Sequence, residues 1–225
     1  MPTAFLCDFD GTISPSDIGA AFVRNFSPGR DAERAALLER WRSGRLGSRE
    51  ITEAECALMR TSRSDALAFT RRFDLDPWFA PFVAEALDRG DQVMVVSEGF
   101  DFYVNDQLAR HGLERLPVAA NHIRFAGDRV IPEFPFSDPE CASCGNCKAA
   151  HVRRYRALGE RTVLVGDGLS DRCGARAAEV VLARAGSDLE GWCRAASIPC
   201  TPFTSFAEVA ALARVTPTAR RVAGG

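Results

Sequence analysis

The stretch "TAFLCDFDGTISPSD" (residues 3–17) holds the reading on which the fold turns. Its first half, "TAFLCDF", is a short apolar run of β-prone residues, as expected of a buried strand. Gly and Pro then break the run. The strand therefore ends in two acids, Asp8 and Asp10. Side chains at i and i+2 share one face of a strand. The two carboxylates point the same way unless the chain turns between them.

Downstream, from Ile18 to about Arg89, the pattern is helical. "DAERAALLERWRSG" opens on an Asp cap and stops at Gly44. "SREITEAECALMR" offers Ser48 as cap, and "SRSDALAFTRRF" and "DPWFAPFVAEALDRG" read as further helices. Four or five helices with no strand among them form a self-contained block. After Gly90 the pattern alternates. "QVMVVS" (92–97), "RTVLVGD" (161–167) and "EVVLA" (179–183) read as buried strands, and "NHIRFAGDRVIPEF" as two short strands around a Gly-Asp turn. "DFYVNDQLARHG", "CKAAHVRRYRAL" and "LSDRCGARAA" read as helices. This alternation implies an α/β fold, a Rossmann-like three-layer parallel sheet with right-handed crossovers. The expected division is a core of residues 1–14 and 90–215, an inserted helical cap of 15–89, and a frayed tail of 216–225.

The length of 225 residues allows one large domain, or a core with a smaller insert. A net charge of -2 gives no reason to expect nucleic acid or an anionic membrane as partner. No apolar run is long enough for a membrane span. "TAFLCDFD" runs into charge too early for a signal peptide, so a cytoplasmic protein is expected. Oligomeric state is not legible, a homodimer being one admissible arrangement. Eight cysteines in such a chain are expected as reduced thiols packed as small hydrophobes.

In an open parallel sheet, ligands bind beyond the carboxyl ends of the strands. There the sequence puts Asp8 and Asp10, Ser97 and Asp167. Clustered carboxylates need a compensating charge. A hard divalent cation bound through oxygens answers that need, and magnesium is the expected one. One carboxylate can attack phosphorus, a second can protonate the leaving oxygen, and Ser97 can bond a phosphate oxygen. Lys148 adds a point cation. It is the one lysine among 28 basic residues; the other 27 are arginine. Taken singly, Asp10 and Asp171 read as turn or cap residues, Ser97 as a loop serine and Lys148 as a surface lysine. Their order at successive strand ends favours a catalytic set.

"DFDGT" (8–12), a strand ending in Ser97, Lys148 and "GDGLSD" (166–171) resemble, in order and across nearly the whole chain, the four motifs of the haloacid dehalogenase superfamily of phosphohydrolases. The resemblance implies Asp8 as nucleophile, Asp10 as general acid/base, and magnesium held by the Asp8 side chain, the Asp10 carbonyl and Asp167. Asp171 matches the remaining acid of the fourth motif, near the metal's water shell or bonded to the lysine. Gly11 and Thr12 close the loop. The helical block resembles the cap of phosphoserine-phosphatase-like members. "SEGFDFYV", "NHIRF" and the run ending in "CK" resemble the 2-hydroxy-3-keto-5-methylthiopentenyl-1-phosphate phosphatases of methionine salvage. The implied partner is a small phosphorylated metabolite, with phosphoserine, phosphocholine, phosphoethanolamine or a biosynthetic phosphate as alternatives. Asp17 stands where phosphoserine phosphatases carry a substrate-binding Glu. With Ser97 and Gly99 it is expected on the substrate side. Glu98 departs from the glycine of these relatives. A carboxylate there favours a cationic or hydroxylated substrate, or points at solvent.

"CASCGNCKAA" (141–150) is the other notable segment. Three cysteines at two-residue gaps can bind zinc, but a structural zinc needs a fourth ligand: His151, His122 or a distant cysteine. A packed or redox-sensitive thiol cluster is the favoured expectation. The competing class is an inert fold serving as a metal-binding or interaction module.

Overall fold

The structure, a computed structural model, describes residues 2–215; the expected frayed tail lies outside the described residues. Thr3–Cys7 forms β1, Gln92–Phe100 β2, Val118–Ala126 β3 and Arg129–Glu133 β4. Arg161–Gly166 forms β5, Val180–Arg184 β6 and Thr201–Phe203 β7. They make one sheet in the order β4-β3-β2-β1-β5-β6-β7, parallel except for the β3–β4 pair. β1 lies between β2 and β5, with Cys7 level with Val95 and Val165. The chain builds outward from β1 first to one side and then to the other. The residues after β1, β2 and β5 therefore meet at the switch point, where such sheets bind ligands.

Alternation along β1 sends Phe5 and Cys7 to one face and Ala4 and Leu6 to the other. The first face packs on α1 (Ile18–Phe26), α5 (Phe79–Asp88), α6 (Asp101–Arg110) and α10 (Phe206–Val215). The second packs on α7 (Lys148–Ala157), α8 (Arg172–Ala177) and α9 (Asp188–Ala195). The three layers and the mostly parallel sheet agree with the expected α/β architecture. The pattern reading did not foresee β7, α9 or α10.

Three helices stand over the carboxyl end of the sheet or beside it: α2 (Asp31–Arg42), α3 (Ser48–Leu58) and α4 (Arg63–Thr70). α3 is tied to the core at both ends. The Arg49 amide donates to Ser143 O at 3.0 Å, and the Thr61 amide just beyond α3 donates to Asp128 O at 2.8 Å. α2 has no fully buried residue. Within the helical segment, α5 packs on the sheet itself, through Phe79 and Phe82 against Phe206 of α10.

Phe206 is buried, with its ring centroid 4.8 Å from Phe79, 5.3 Å from Phe82 and 5.8 Å from Phe203. Truncating such a ring removes its transfer energy and leaves a cavity. Phe206→Ala should cost about 3–5 kcal/mol in urea denaturation. A loss below about 1 kcal/mol would contradict this packing.

Candidate active site

β1 ends at Cys7, one residue before Asp8, and the chain turns at once. The amides of Thr12 and Ser14 bond to Phe9 O, and that of Ile13 to Asp8 O. The turn separates the two acids that strand geometry would have kept on one face. Asp8 stays over the sheet, where its Oδ1 lies 2.7 Å from Lys148 Nζ. Asp10 meets the start of α1 instead: its Oδ1 accepts from the Ile18 and Gly19 amides at 2.9 and 3.1 Å, and its Oδ2 from Tyr103 Oη at 2.6 Å. Burial, then the charge of Asp17, pushes the Asp10 carboxyl up to about 7.

Lys148 opens α7 and is fully buried. Its ammonium bridges Asp8 and Asp171, at 2.5 Å from the latter. Burial acts to lower its pKa, but the Asp171 and Asp8 charges overcome this and hold it above the ordinary range. Asp171 spends its other oxygen on the Asp167 and Gly168 amides, at 3.1 and 2.9 Å. Thr12 Oγ1 donates to Asp167 Oδ1 at 2.7 Å. Gly11 is required beside it, since its φ is +75° and a Cβ would lie 2.2 Å from Asp167 Oδ2.

Oxygens of Asp8, Asp167 and Asp171 lie within 4.8 Å of one another. Burial and then the Asp171 charge push Asp8 well up and Asp167 up to about 6. Three acids thus share one buried ammonium. This donor set fits a hard divalent cation, which would offset the charge left over.

A cavity of about 200 Å³ opens over these groups. Asp8, Asp10, Asp17, Ser97, Glu98, Gly99 and Asp167 line it, whereas Gly11, Thr12, Lys148 and Asp171 are not among the lining residues and bear on it through Asp8 and Asp167. Asp17 also caps α1, accepting from the Ala20 amide at 2.7 Å. Ser97 Oγ accepts from the Gly99 amide at 2.9 Å. Leu38 and Trp41 of α2, with Ile51, Glu55 and Cys56 of α3, close the cavity from above. Glu98 does not point at solvent: Oε2 accepts from the Asn146 amide at 3.3 Å, and Oε1 is buried with no hydrogen-bond partner among the described residues. Burial pushes Glu98 up to about 7. It does the same to Glu55, against Arg34.

Several of these residues escaped the sequence reading. Tyr103 is needed to hold Asp10, and Gly99 to let it in: a Cβ at Gly99 would lie 1.9 Å from the Tyr103 oxygen. The signal was compositional, since the chain has 15 Phe and only 2 Tyr. Asn146 Nδ2 donates to Ser97 O and Ala119 O at 2.9 and 2.8 Å, fixing the end of β2. His151 Nε2 lies 2.8 Å from Asn146 Oδ1. That oxygen only accepts, so Nε2 carries the proton. His151 is thus engaged with Asn146, and His122 with Asp101 at 2.8 Å, so neither serves the cysteines.

A family profile described as haloacid dehalogenase-like hydrolase matches residues 5–176. The chain is 32% identical over 207 residues to a 2-hydroxy-3-keto-5-methylthiopentenyl-1-phosphate phosphatase of Brevibacillus brevis, covering 90% of this chain and 91% of the relative. It is also 32% identical over 208 residues to the protein of that name from Geobacillus kaustophilus, covering 90% and 91%. Among solved structures it resembles a substrate-bound phosphoserine phosphatase complex, with a TM-score of 0.71 at 20% identity, covering 94% of this chain and 98% of that one. At that identity the likeness speaks for the fold. Among the described residues no helix is long and apolar enough to cross a membrane.

Burial, with the Arg154 and Lys148 charges, lowers the His151 pKa from 6.5 to about 4. A depressed folded pKa means that the unfolded chain binds the proton more readily. This contribution is complete above pH 6.5 and is lost as pH falls from 6.5 through 4. His151→Gln keeps an amide donor without the titration. The stability advantage of the parent over this variant should shrink by about 3 kcal/mol between those limits. Parallel stability curves would refute the assignment.

Proposed function

The chain belongs to the haloacid dehalogenase-like hydrolase family, and from that premise we propose that it is a magnesium-dependent phosphomonoesterase of small metabolites that works through an aspartyl phosphate. Membership in a family of hydrolases displaces the inert-module alternative. The observation that carries the reading is Lys148, fully buried between Asp8 and Asp171. An ammonium there costs too much to serve packing alone.

Lys148 holds one Asp8 oxygen and leaves the other to attack phosphorus. The P–O bond to the leaving group breaks as the Asp8–phosphorus bond forms. Asp10, pushed up to about 7, holds a proton near neutral pH and delivers it to the leaving oxygen. The Asp10 carboxylate then takes a proton from water, which attacks the acyl phosphate and frees Asp8. Ser97 offers its hydroxyl to a phosphate oxygen, and Lys148 offsets the charge that develops. Asp8, the Asp10 carbonyl and Asp167 would hold magnesium, whose charge neutralises the phosphate and the clustered acids. Asp171 then acts through Lys148. Leu38, Trp41 and Ile51 give the cavity an apolar wall, which reduces the water around the reacting groups.

Among the described residues the cavity lining includes no arginine, lysine or histidine. A substrate carboxylate, as in phosphoserine, finds no cation there. Apolar Val23, Leu38, Trp41 and Ile51 beside Asp17, Thr52 and Glu55 suit an uncharged, hydroxylated tail with an apolar end. That chemistry and the relatives' printed names favour 2-hydroxy-3-keto-5-methylthiopentenyl-1-phosphate. The acids around Trp41 also suit a quaternary or primary ammonium, so phosphocholine and phosphoethanolamine form the second reading.

Hydrolysis of p-nitrophenyl phosphate should vanish in EDTA and return with excess magnesium. Asp8→Asn should lose about four orders of magnitude in kcat with an unchanged circular-dichroism spectrum. Retained turnover would remove Asp8 from the nucleophile role. In a substrate panel the methylthio-ketose phosphate should exceed phosphoserine in kcat/KM. Preference for phosphoserine would overturn the substrate assignment.

A further inference from the structure

The chemistry above leaves the cysteines of the 141–147 loop without a role. Their sulfurs nevertheless converge. Those of Cys141, Cys144 and Cys147 lie within 4.8 Å of one another. A fourth comes from elsewhere in the chain: Cys144 Sγ is 3.5 Å from the Sγ of Cys173, on α8. We propose that Cys141, Cys144, Cys147 and Cys173 form a tetrathiolate site that binds zinc.

Geometry and chemistry agree on this. Zn–S bonds of about 2.3 Å in a tetrahedron set sulfurs about 3.8 Å apart. The 3.5 Å Cys144–Cys173 contact lies just under that edge, and the three loop sulfurs of Cys141, Cys144 and Cys147 lie within 4.8 Å of one another, so a small inward shift of Cys173 toward the other two would complete the tetrahedron. C-x2-C-x2-C alone leaves zinc one ligand short, and both nearby imidazoles are engaged elsewhere. Cys173 supplies the missing ligand from a residue distant in sequence. Arg172 adds a positive charge beside Cys173.

Simple packing accounts for this less well. Cysteines used as filler need not converge from two distant segments of the chain. Cys193 and Cys200, elsewhere in the core, form only a pair. The position also has a use. Cys147 is the N-cap of α7, next to Lys148, and Cys173 follows Asp171 by two residues. Zinc would clamp together the two segments that carry the Lys148–Asp171 ion pair.

The test uses the full chain, purified without chelator. Mass spectrometry of its metals should find about one zinc per chain. Modifying the thiols with p-mercuribenzoate should release that zinc, and removing it should lower the melting midpoint until zinc is restored. Cobalt(II) in place of zinc should give the intense visible absorption of a tetrahedral thiolate site. Cys173→Ser should weaken that absorption and lower the zinc content, whereas Cys200→Ser should change neither. None of these readouts depends on phosphatase activity. A metal-free chain that takes up no cobalt, iron in place of zinc, or a Cys144–Cys173 disulfide found by peptide mapping would each overturn the proposal. If Cys173→Ser fails to fold, the zinc content and cobalt spectrum of the parent chain still decide it.

Discussion

A buried ammonium between two buried carboxylates is the constraint around which the rest of this structure is arranged. Lys148 has no solvent, and its charge is sustained by Asp8 and Asp171. Removing one member of such a group strands the others, at a cost of several kcal/mol. The three residues come from the turn after β1, from α7 and from the turn after β5. Their meeting therefore requires the sheet order that puts β1 beside β5 and α7 behind both. Fold and ion cluster specify each other. An arginine would not fit the same role, because its planar fork needs room that a point ammonium does not.

A second requirement is that two acids only two residues apart in the chain meet different electrostatic surroundings. The turn at Asp8–Ser14 separates them. Asp8 faces a cation, whereas Asp10 faces helix amides and a phenol. Different environments push paired carboxyls toward different duties, which is what supports the proposed division between Asp8 as nucleophile and Asp10 as proton carrier. The approach of β2 that completes the Asp10 site tolerates no side chain at Gly99.

Much of this was legible in the sequence because it rests on local pattern. Apolar runs ending in Asp8, Ser97 and Asp167 announce strands with polar ends, and the single lysine announces a position where arginine fails. What was not legible arises from contacts between distant residues. Nothing in "FDFYV" tells which aromatic turns toward Asp10, and Asn146 and His151 were overshadowed by the cysteines around them. Cys173 read as filler because its partners lie far back in the chain. The three-residue β7 is too short to show alternation. α9 did carry a readable start in Ser187 and Glu190, but Gly191 interrupts its apolar period. Glu98 was left open between substrate and solvent, and burial turned it inward.

The contrast between α2 and α3 has a consequence for traffic through the site. α3 is held by backbone bonds at both ends, and so behaves as a fixed wall. α2 buries none of its residues completely and meets α3 through few polar contacts, among them Trp41 Nε1 to Ser48 Oγ at 3.2 Å. Segments with little buried area are the ones that open at low free energy. The cheapest doorway to the cavity therefore lies under Leu38 and Trp41. A molecule can exchange by lifting one helix while the ion cluster, the cysteine loop and the sheet stay in place.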